Sequence, residues 1–418
     1  MDALTRRKFL LASGVVGGGA IVAGAAGLGI AELLDTAAKA PKEETAKTGK
    51  LVIVTLYGGN DGLNTVIPYG DQRYYAARPE LAYQPEKVLR LDGALGLNPM
   101  MPGLKRLWDE KRLAIALGVG YPKPDRSHFR SMDIWQSASP SGPVETGWVG
   151  RWLDGTNAAP EAAVSFESVL PPLLAGETRT GACVSTGGLR LPDGLTTDML
   201  AQLGRSQPEE SPAQARAAAA YADLIKVDQL VKHAEQTAST PGLEDVMELP
   251  ATGTGGSSTL AAELSLIAKC IEVGVPTQVY SVSLGGFDTH AEERAGHERL
   301  LRQLDQALSG FATRMARTEA GQRVMVVVYS EFGRRVRANA SDGTDHGTAG
   351  PVFVLGPSVA GGFYGEQPSL SDLDDGDLKA TMDFRDIFGT ALAAVLDAEP
   401  ARYLHGYEAE ILPLIPPS

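Results

Sequence analysis

The chain has 418 residues, 43% of them hydrophobic, and a formal net charge of −13. That is enough for one large α/β domain or two ordinary ones. The acidity argues against nucleic acid as a main partner and mildly against broad binding of anionic polymers, although a small basic pocket fits inside such a chain. The two cysteines, Cys183 and Cys270, could pair in an oxidising compartment. Cys270 falls in the apolar pattern of a helix, which favours two buried thiols.

In chain order, the first feature is Thr5-Arg6-Arg7-Lys8-Phe9-Leu10, followed by an uncharged stretch from Phe9 to Ala31. Paired arginines before an apolar run mark a twin-arginine export signal. Ala38-Lys39-Ala40 supplies the small-x-small pattern of a cleavage site. Residues 1–40 are therefore expected as a signal peptide and the location as periplasmic or extracellular. An uncleaved membrane anchor is the alternative, since such a stretch is long enough to span a bilayer. Residues 1–40 carry four bases against three acids, so removing them takes the net charge to −14. Residues 41–50 read as a charged tether.

Five apolar runs follow at Leu51–Tyr57, Leu113–Leu117, Pro276–Leu284, Arg323–Tyr329 and Pro351–Leu355. Short continuous apolar runs read as strands buried on both faces. Helical patterns lie near Met101–Glu110 and Met132–Gln136, and at 213–236, 259–273, 291–318 and 380–397. The alternation predicts an α/β fold with a mostly parallel sheet and helices on both faces. Residues 140–258 lack strong strands and are expected as an inserted cap region over the sheet edge. Their Gly/Ser/Thr/Pro-rich end, 239–258, reads as a linker or lid.

Three of the strands end in polar turns: Gly58-Gly59-Asn60-Asp61-Gly62, Gly285-Gly286-Phe287-Asp288-Thr289-His290 and Ser330-Glu331-Phe332-Gly333-Arg334. Ligands of open parallel sheets bind outside the carboxyl ends of the strands, so these turns are expected along one rim. Asp345-His346-Gly347, just before the fifth strand, is within reach. Asp, Glu and His converging there suit a divalent metal. Plainer roles exist for each: a turn at Asp61, a helix cap at Asp288, an ion pair between Glu331 and Arg334 or Arg335. A fifth motif is Asp125-Arg126-Ser127-His128-Phe129-Arg130. Ser127 stands near a helix start, where backbone N–H groups favour an anion. It suits a nucleophile attacking a phosphate or sulfate ester, or a simple N-cap.

Taken together, the twin-arginine signal and the motifs Gly-Gly-Asn-Asp-Gly, Arg-Ser-His-Phe, Gly-Gly-Phe-Asp-Thr-His, Ser-Glu-Phe-Gly-Arg and Thr-Asp-His-Gly-Thr-Ala resemble an exported bacterial family, DUF1501. That family in turn resembles the alkaline phosphatase and sulfatase superfamily. The resemblance implies an α/β fold holding two divalent metals and a Ser, Thr or modified Cys nucleophile. It puts Asp61 on the second metal and Ser127 at the nucleophile, with His128 beside it. It puts Asp288, His290 and His346 on the first metal, and Glu331 where the superfamily has Asp-His. Two departures stand out. Phe332 occupies a ligand position without a donor atom, and Asp288-x-His290 is shorter than the usual spacing. An alternative alignment puts Asp345-His346 on the Asp-His pair and leaves the late histidine missing. His128, His297 and Arg334 are candidate local replacements.

Two functions are expected to compete. One is an exported, metal-dependent hydrolase of phosphate or sulfate esters that uses Zn, Mn, Mg or Ca on a small ester or glycan. The other is a non-catalytic exported protein that keeps the fold and acts with another exported protein. Either would meet the twin-arginine translocase during export.

Overall fold

The structure is a computed structural model and describes residues 49–167, 169–184 and 260–415. The expected signal at 1–40, the tether up to residue 48, the helical pattern at 213–236 and the linker at 239–258 lie outside the described residues.

The first strand, β1 (Lys50–Leu56), is buried at every position. It lies at the centre of a nine-stranded sheet. The others are β2 (Leu113–Gly120), β3 (Ala163–Ser165), β4 (Ala182–Cys183), β5 (Val279–Leu284), β6 (Val324–Ser330), β7 (Gly350–Leu355), β8 (Gly362–Tyr364) and β9 (Met382–Asp383). They run in the order β8-β2-β7-β6-β1-β5-β3-β4, with β9 beside the end of β2. β1 pairs in parallel with β5 and β6, setting Val54 opposite Val282 and Val328. Only β7 runs against its neighbours, β6 and β2.

Alternation of side chains along a strand, with both faces covered, explains why the central strands are mostly apolar. Val52, Val54 and Leu56 face one layer of helices, formed by α1 (Pro102–Asp109), α4 (Leu260–Glu272) and α5 (Glu293–Met315). Leu51 and Ile53 face the other, formed by α2 (His128–Ser137), α3 (Trp148–Thr156) and α6 (Phe384–Val395). In α5 the buried residues Leu300, Leu304, Leu308, Phe311 and Met315 recur every three or four positions and make one apolar stripe. Burying side chains of this size stabilises by roughly 1.5–3 kcal/mol each. The helices therefore hold the sheet from both sides, as the alternating pattern predicts.

The segment expected as an insertion is partly woven into this body. Strands β3 and β4 extend the sheet past β5, and α3 packs Trp148, Val149 and Trp152 onto its second face. These elements are too short to stand out as apolar runs. The rest of that segment, 185–258, lies outside the described residues. Both cysteines are free, Cys270 buried and Cys183 partly so. Among the described residues no helix is long and apolar enough to cross a membrane.

The reversal of β7 matters for the site. In a parallel strand the preceding segment would lie at the opposite edge of the sheet. Because β7 is antiparallel, the residues before Gly350 arrive at the rim where β1, β2, β5 and β6 end. A bridge between Arg334 and His346 pins them there.

Candidate metal centre

Four chain segments meet at this rim. His128 is the first residue of α2, Asp288 and His290 follow β5, Glu331 follows β6 and His346 precedes β7. Asp288 stands in the middle. Its Oδ1 lies 2.9 Å from His290 Nε2, 3.1 Å from His346 Nε2 and 3.5 Å from His128 Nε2. Donor atoms of His128, Asp288 and His346 all fall within 4.8 Å of one another. His290 joins through Asp288 and through its own Nε2, 3.0 Å from that of His346.

The far side of each ring decides which nitrogen is free. His128 Nδ1 donates to Glu331 Oε1 at 2.8 Å, His290 Nδ1 to Asp345 Oδ1 at 3.2 Å, and His346 Nδ1 to the Arg126 carbonyl at 2.8 Å. With acceptors at all three Nδ1 atoms, the tautomer assigned to each ring carries its hydrogen there and leaves a lone pair on Nε2. Three lone pairs then face one carboxylate oxygen. Lone pairs 3.0 Å apart repel unless a cation lies near them, and His128 Nε2 is buried without a hydrogen-bond partner. Rings held by a carboxylate or carbonyl on one nitrogen and bare on the other are the arrangement of metal-ligating histidines. The residues fit a divalent ion.

Electrostatics prepare the same donors. Burial pushes the Asp288 carboxyl up, but Arg334, donating to Oδ1 at 2.8 Å, and His346 outweigh it and hold Asp288 down at about 2. Burial pushes His346 below the usual histidine range, which favours its neutral form. The hydrogen bond to Glu331 raises His128, so a cation at its Nε2 competes with a proton there. Arg334 is wholly buried. Its guanidinium donates to the carbonyls of Gly58, Gly59, Phe287 and Thr344, tying the turns after β1, β5 and β6 together.

The expected site residues divide accordingly. Asp288, His290 and His346 face the centre, and His128 joins them as a fourth donor rather than as the nucleophile's companion. Glu331 and Asp345 sit behind the rings, on Nδ1. Glu331 is buried and also accepts from Gly58 N and Ser330 Oγ, both at 2.9 Å, so its oxygens are occupied. Asp61 is elsewhere. It is buried in an ion pair with Arg78, beside Glu293, which hydrogen-bonds to it, and His297. His297 Nε2 meets Asn60 Oδ1 at 2.9 Å. Ser127 is exposed at the start of α2, and its hydroxyl caps no backbone N–H. Phe332 is no donor but packs its ring 4.9 Å from the rings of both His128 and His346.

Some functional groups gave little or no sequence signal. The Arg126 carbonyl acts through backbone, which any residue possesses. Arg78 lies in a stretch without a motif. The two glycines of the first turn have steric roles. Gly58 has φ +115°, and a Cβ there would meet Asp288 N at 2.4 Å; one on Gly59 would meet the Phe332 ring at 2.3 Å.

The sequence profile of a family described as protein of unknown function (DUF1501) matches residues 116–408. The chain belongs to the DUF1501 family. No curated protein matches it. Solved structures similar to this DUF1501 chain include Ps i-CgsB in complex with k-i-k-neocarrahexaose, at 12% identity and TM-score 0.42, covering 87% of this chain and 75% of that one. Another is the lipoteichoic acid synthase LtaP from Listeria monocytogenes, at 12% identity and TM-score 0.36, covering 89% and 79%. A third is an alkaline phosphatase superfamily protein from Vibrio parahaemolyticus, at 8% identity and TM-score 0.35, covering 90% and 77%. Likeness this loose transfers no residue roles.

Proposed function

We propose that this DUF1501 protein is an exported hydrolase of phosphate or sulfate esters that works with one divalent metal. The observation that carries the reading is the convergence of three histidine Nε2 atoms on Asp288 Oδ1, each ring fixed from behind at Nδ1. His128, Asp288, His290 and His346 would hold the ion. Three imidazoles and one carboxylate suit Zn better than Mg or Ca, which prefer all-oxygen sites. When bound, such an ion polarises an ester oxygen and lowers the pKa of a hydroxyl or water beside it.

Ser127 is the nucleophile in this reading. It immediately precedes His128, its hydroxyl is not spent on capping, and Asp125 Oδ1 accepts from its backbone N–H at 2.7 Å, which fixes its place. The free N–H groups of the first turn of α2 attract the anionic ester. Arg334 and Glu331 position Asp288 and His128. Turnover of 4-nitrophenyl phosphate and 4-nitrophenyl sulfate tests the assignment. Ser127→Ala is expected to lower kcat at least a thousandfold while metal content stays the same, and an unchanged rate would remove Ser127 as nucleophile.

A second reading is a non-catalytic exported protein that binds a glycan or another exported protein. It is favoured by the commitment of Asp61 to Arg78, which leaves one candidate metal cluster among the described residues. Metal analysis of protein purified from the periplasm separates the two, since a working site is substantially filled and near-zero metal supports the binding role. Export itself is part of both readings. Replacing Arg6 and Arg7 together by Lys should leave the protein in the cytoplasmic fraction, and unchanged export would exclude the twin-arginine route.

A further inference from the structure

Beside the metal centre lies a cavity of about 370 Å³, within the range of small-molecule pockets. Its walls include the rings of Tyr121, Trp135 and Phe332 and the side chains of Leu378 and Met382. Two walls are shared with the centre. Phe332 packs on the rings of His128 and His346, and Glu331 holds His128 Nδ1. The loop leading to Ser127 forms another wall through Pro122 and Pro124. Ser127 follows Pro124 by three positions, a reach of at most ~11 Å.

The charged groups in the lining are largely spoken for. Glu331 is bound to His128, Asp383 to Arg385 at 2.7 Å, and Lys379 to Asp372. Asp374 stands exposed at the rim. An anionic group would meet carboxylates here, whereas a flat apolar ring would meet other rings and a methionine, contacts that favour aromatic ligands.

We propose that this cavity binds an uncharged aromatic group and, resting on the hydrolase reading, that the group is the alcohol half of the ester. The anionic half then lies toward Ser127 and the metal centre, and Phe332 separates the two.

The test uses the full-length mature protein loaded with zinc, with 2-naphthol as probe and tryptophan fluorescence as readout, because Trp135 lines the cavity. Saturable quenching is expected. Ala380→Trp, at the exposed lip, should weaken 2-naphthol binding at least tenfold with metal content unchanged. The same variant should raise KM for 2-naphthyl phosphate at least tenfold more than KM for methyl phosphate. Ala380→Leu serves as second variant should the tryptophan lower Tm. Absence of saturable quenching, or equal affinity in the variants, would overturn the aromatic site. Weakened binding with equal KM changes for the two esters would overturn the alcohol-half assignment. Naphthol binding that Ala380→Trp weakens, in a protein that hydrolyses neither ester, would keep the aromatic site and remove the hydrolase reading, and with it the alcohol-half assignment.

Discussion

At the scale of single residues, Glu331 shows how a buried carboxylate tunes a donor it does not replace. Its Oε1 accepts from Gly58 N and from His128 Nδ1, which sets the ring's tautomer and aims Nε2 at Asp288. Glu331→Gln retains shape and burial but loses the charge that favours a hydrogen on Nδ1. The expected outcome is a 10–100-fold loss of zinc affinity, measured by competition with a chelating dye, with little change in Tm. Asp288→Asn should cost more, because it removes the ionised oxygen on which all three rings converge. Equal affinities in wild type and both variants would place the metal elsewhere.

At the scale of elements, the turn after β1 positions the site without supplying a ligand. The chain leaves β1 through Gly58 at φ +115° and Gly59 at φ +72°, and these backbones pack directly on Asp288 and Phe332. A side chain at position 58 would be strained in that conformation and would press on Asp288 N. Gly58→Ala should destabilise by about 2 kcal/mol or more and weaken metal binding as well, read by urea unfolding of the metal-free and metal-loaded protein. A variant with wild-type stability and affinity would show that the turn tolerates a Cβ and does not position Asp288. Similarly, α5 begins where the loop before β7 caps it. Glu293 N donates to the Asp342 carbonyl and Thr344 Oγ1 to Glu293 Oε2, so the helix start and the loop before β7 are one packed unit.

At the scale of the whole molecule, segments far apart in sequence enclose a buried cluster of ionisable groups, Asp61, Arg78, Glu293 and His297. Burial, then the neighbouring Asp61 charge, keep the Glu293 carboxyl well above the usual carboxylate range. Its contribution to stability is therefore full below about pH 4.5 and is lost as pH rises through the raised value, because the unfolded chain ionises first. Glu293→Gln removes that loss. The Tm of the variant relative to wild type should climb between pH 5 and pH 9, and a flat difference would show that Glu293 ionises normally. His297 works at the acid end. Burial holds it down at about 4, so its share of stability is present above pH 6.5 and fades as pH falls towards 4.

The same scale separates what was legible in the sequence from what was not. Continuous apolar runs identified five central strands, because a strand buried on both faces is mostly apolar. The polar turns after those runs lie on one rim for the same reason, since parallel strands end on the same side. Family membership was legible in the order of the motifs. Short strands such as Ala163–Ser165 were not, having too few residues to form a pattern.

By itself, then, the sequence determined the layered fold and the rim on which the turns carrying Asp288, His290 and Glu331 end, because burial is written in local periodicity and parallel strands end on one side. Only the tertiary structure decided the division of labour among them. The reversal of β7 carried His346 to the rim. Arg78, 17 residues away, claimed Asp61. Glu331 and Asp345 turned to the backs of the rings, and His128 turned its Nε2 inward. Which oxygen meets which nitrogen depends on side-chain directions set by packing between distant segments, and no local pattern encodes those.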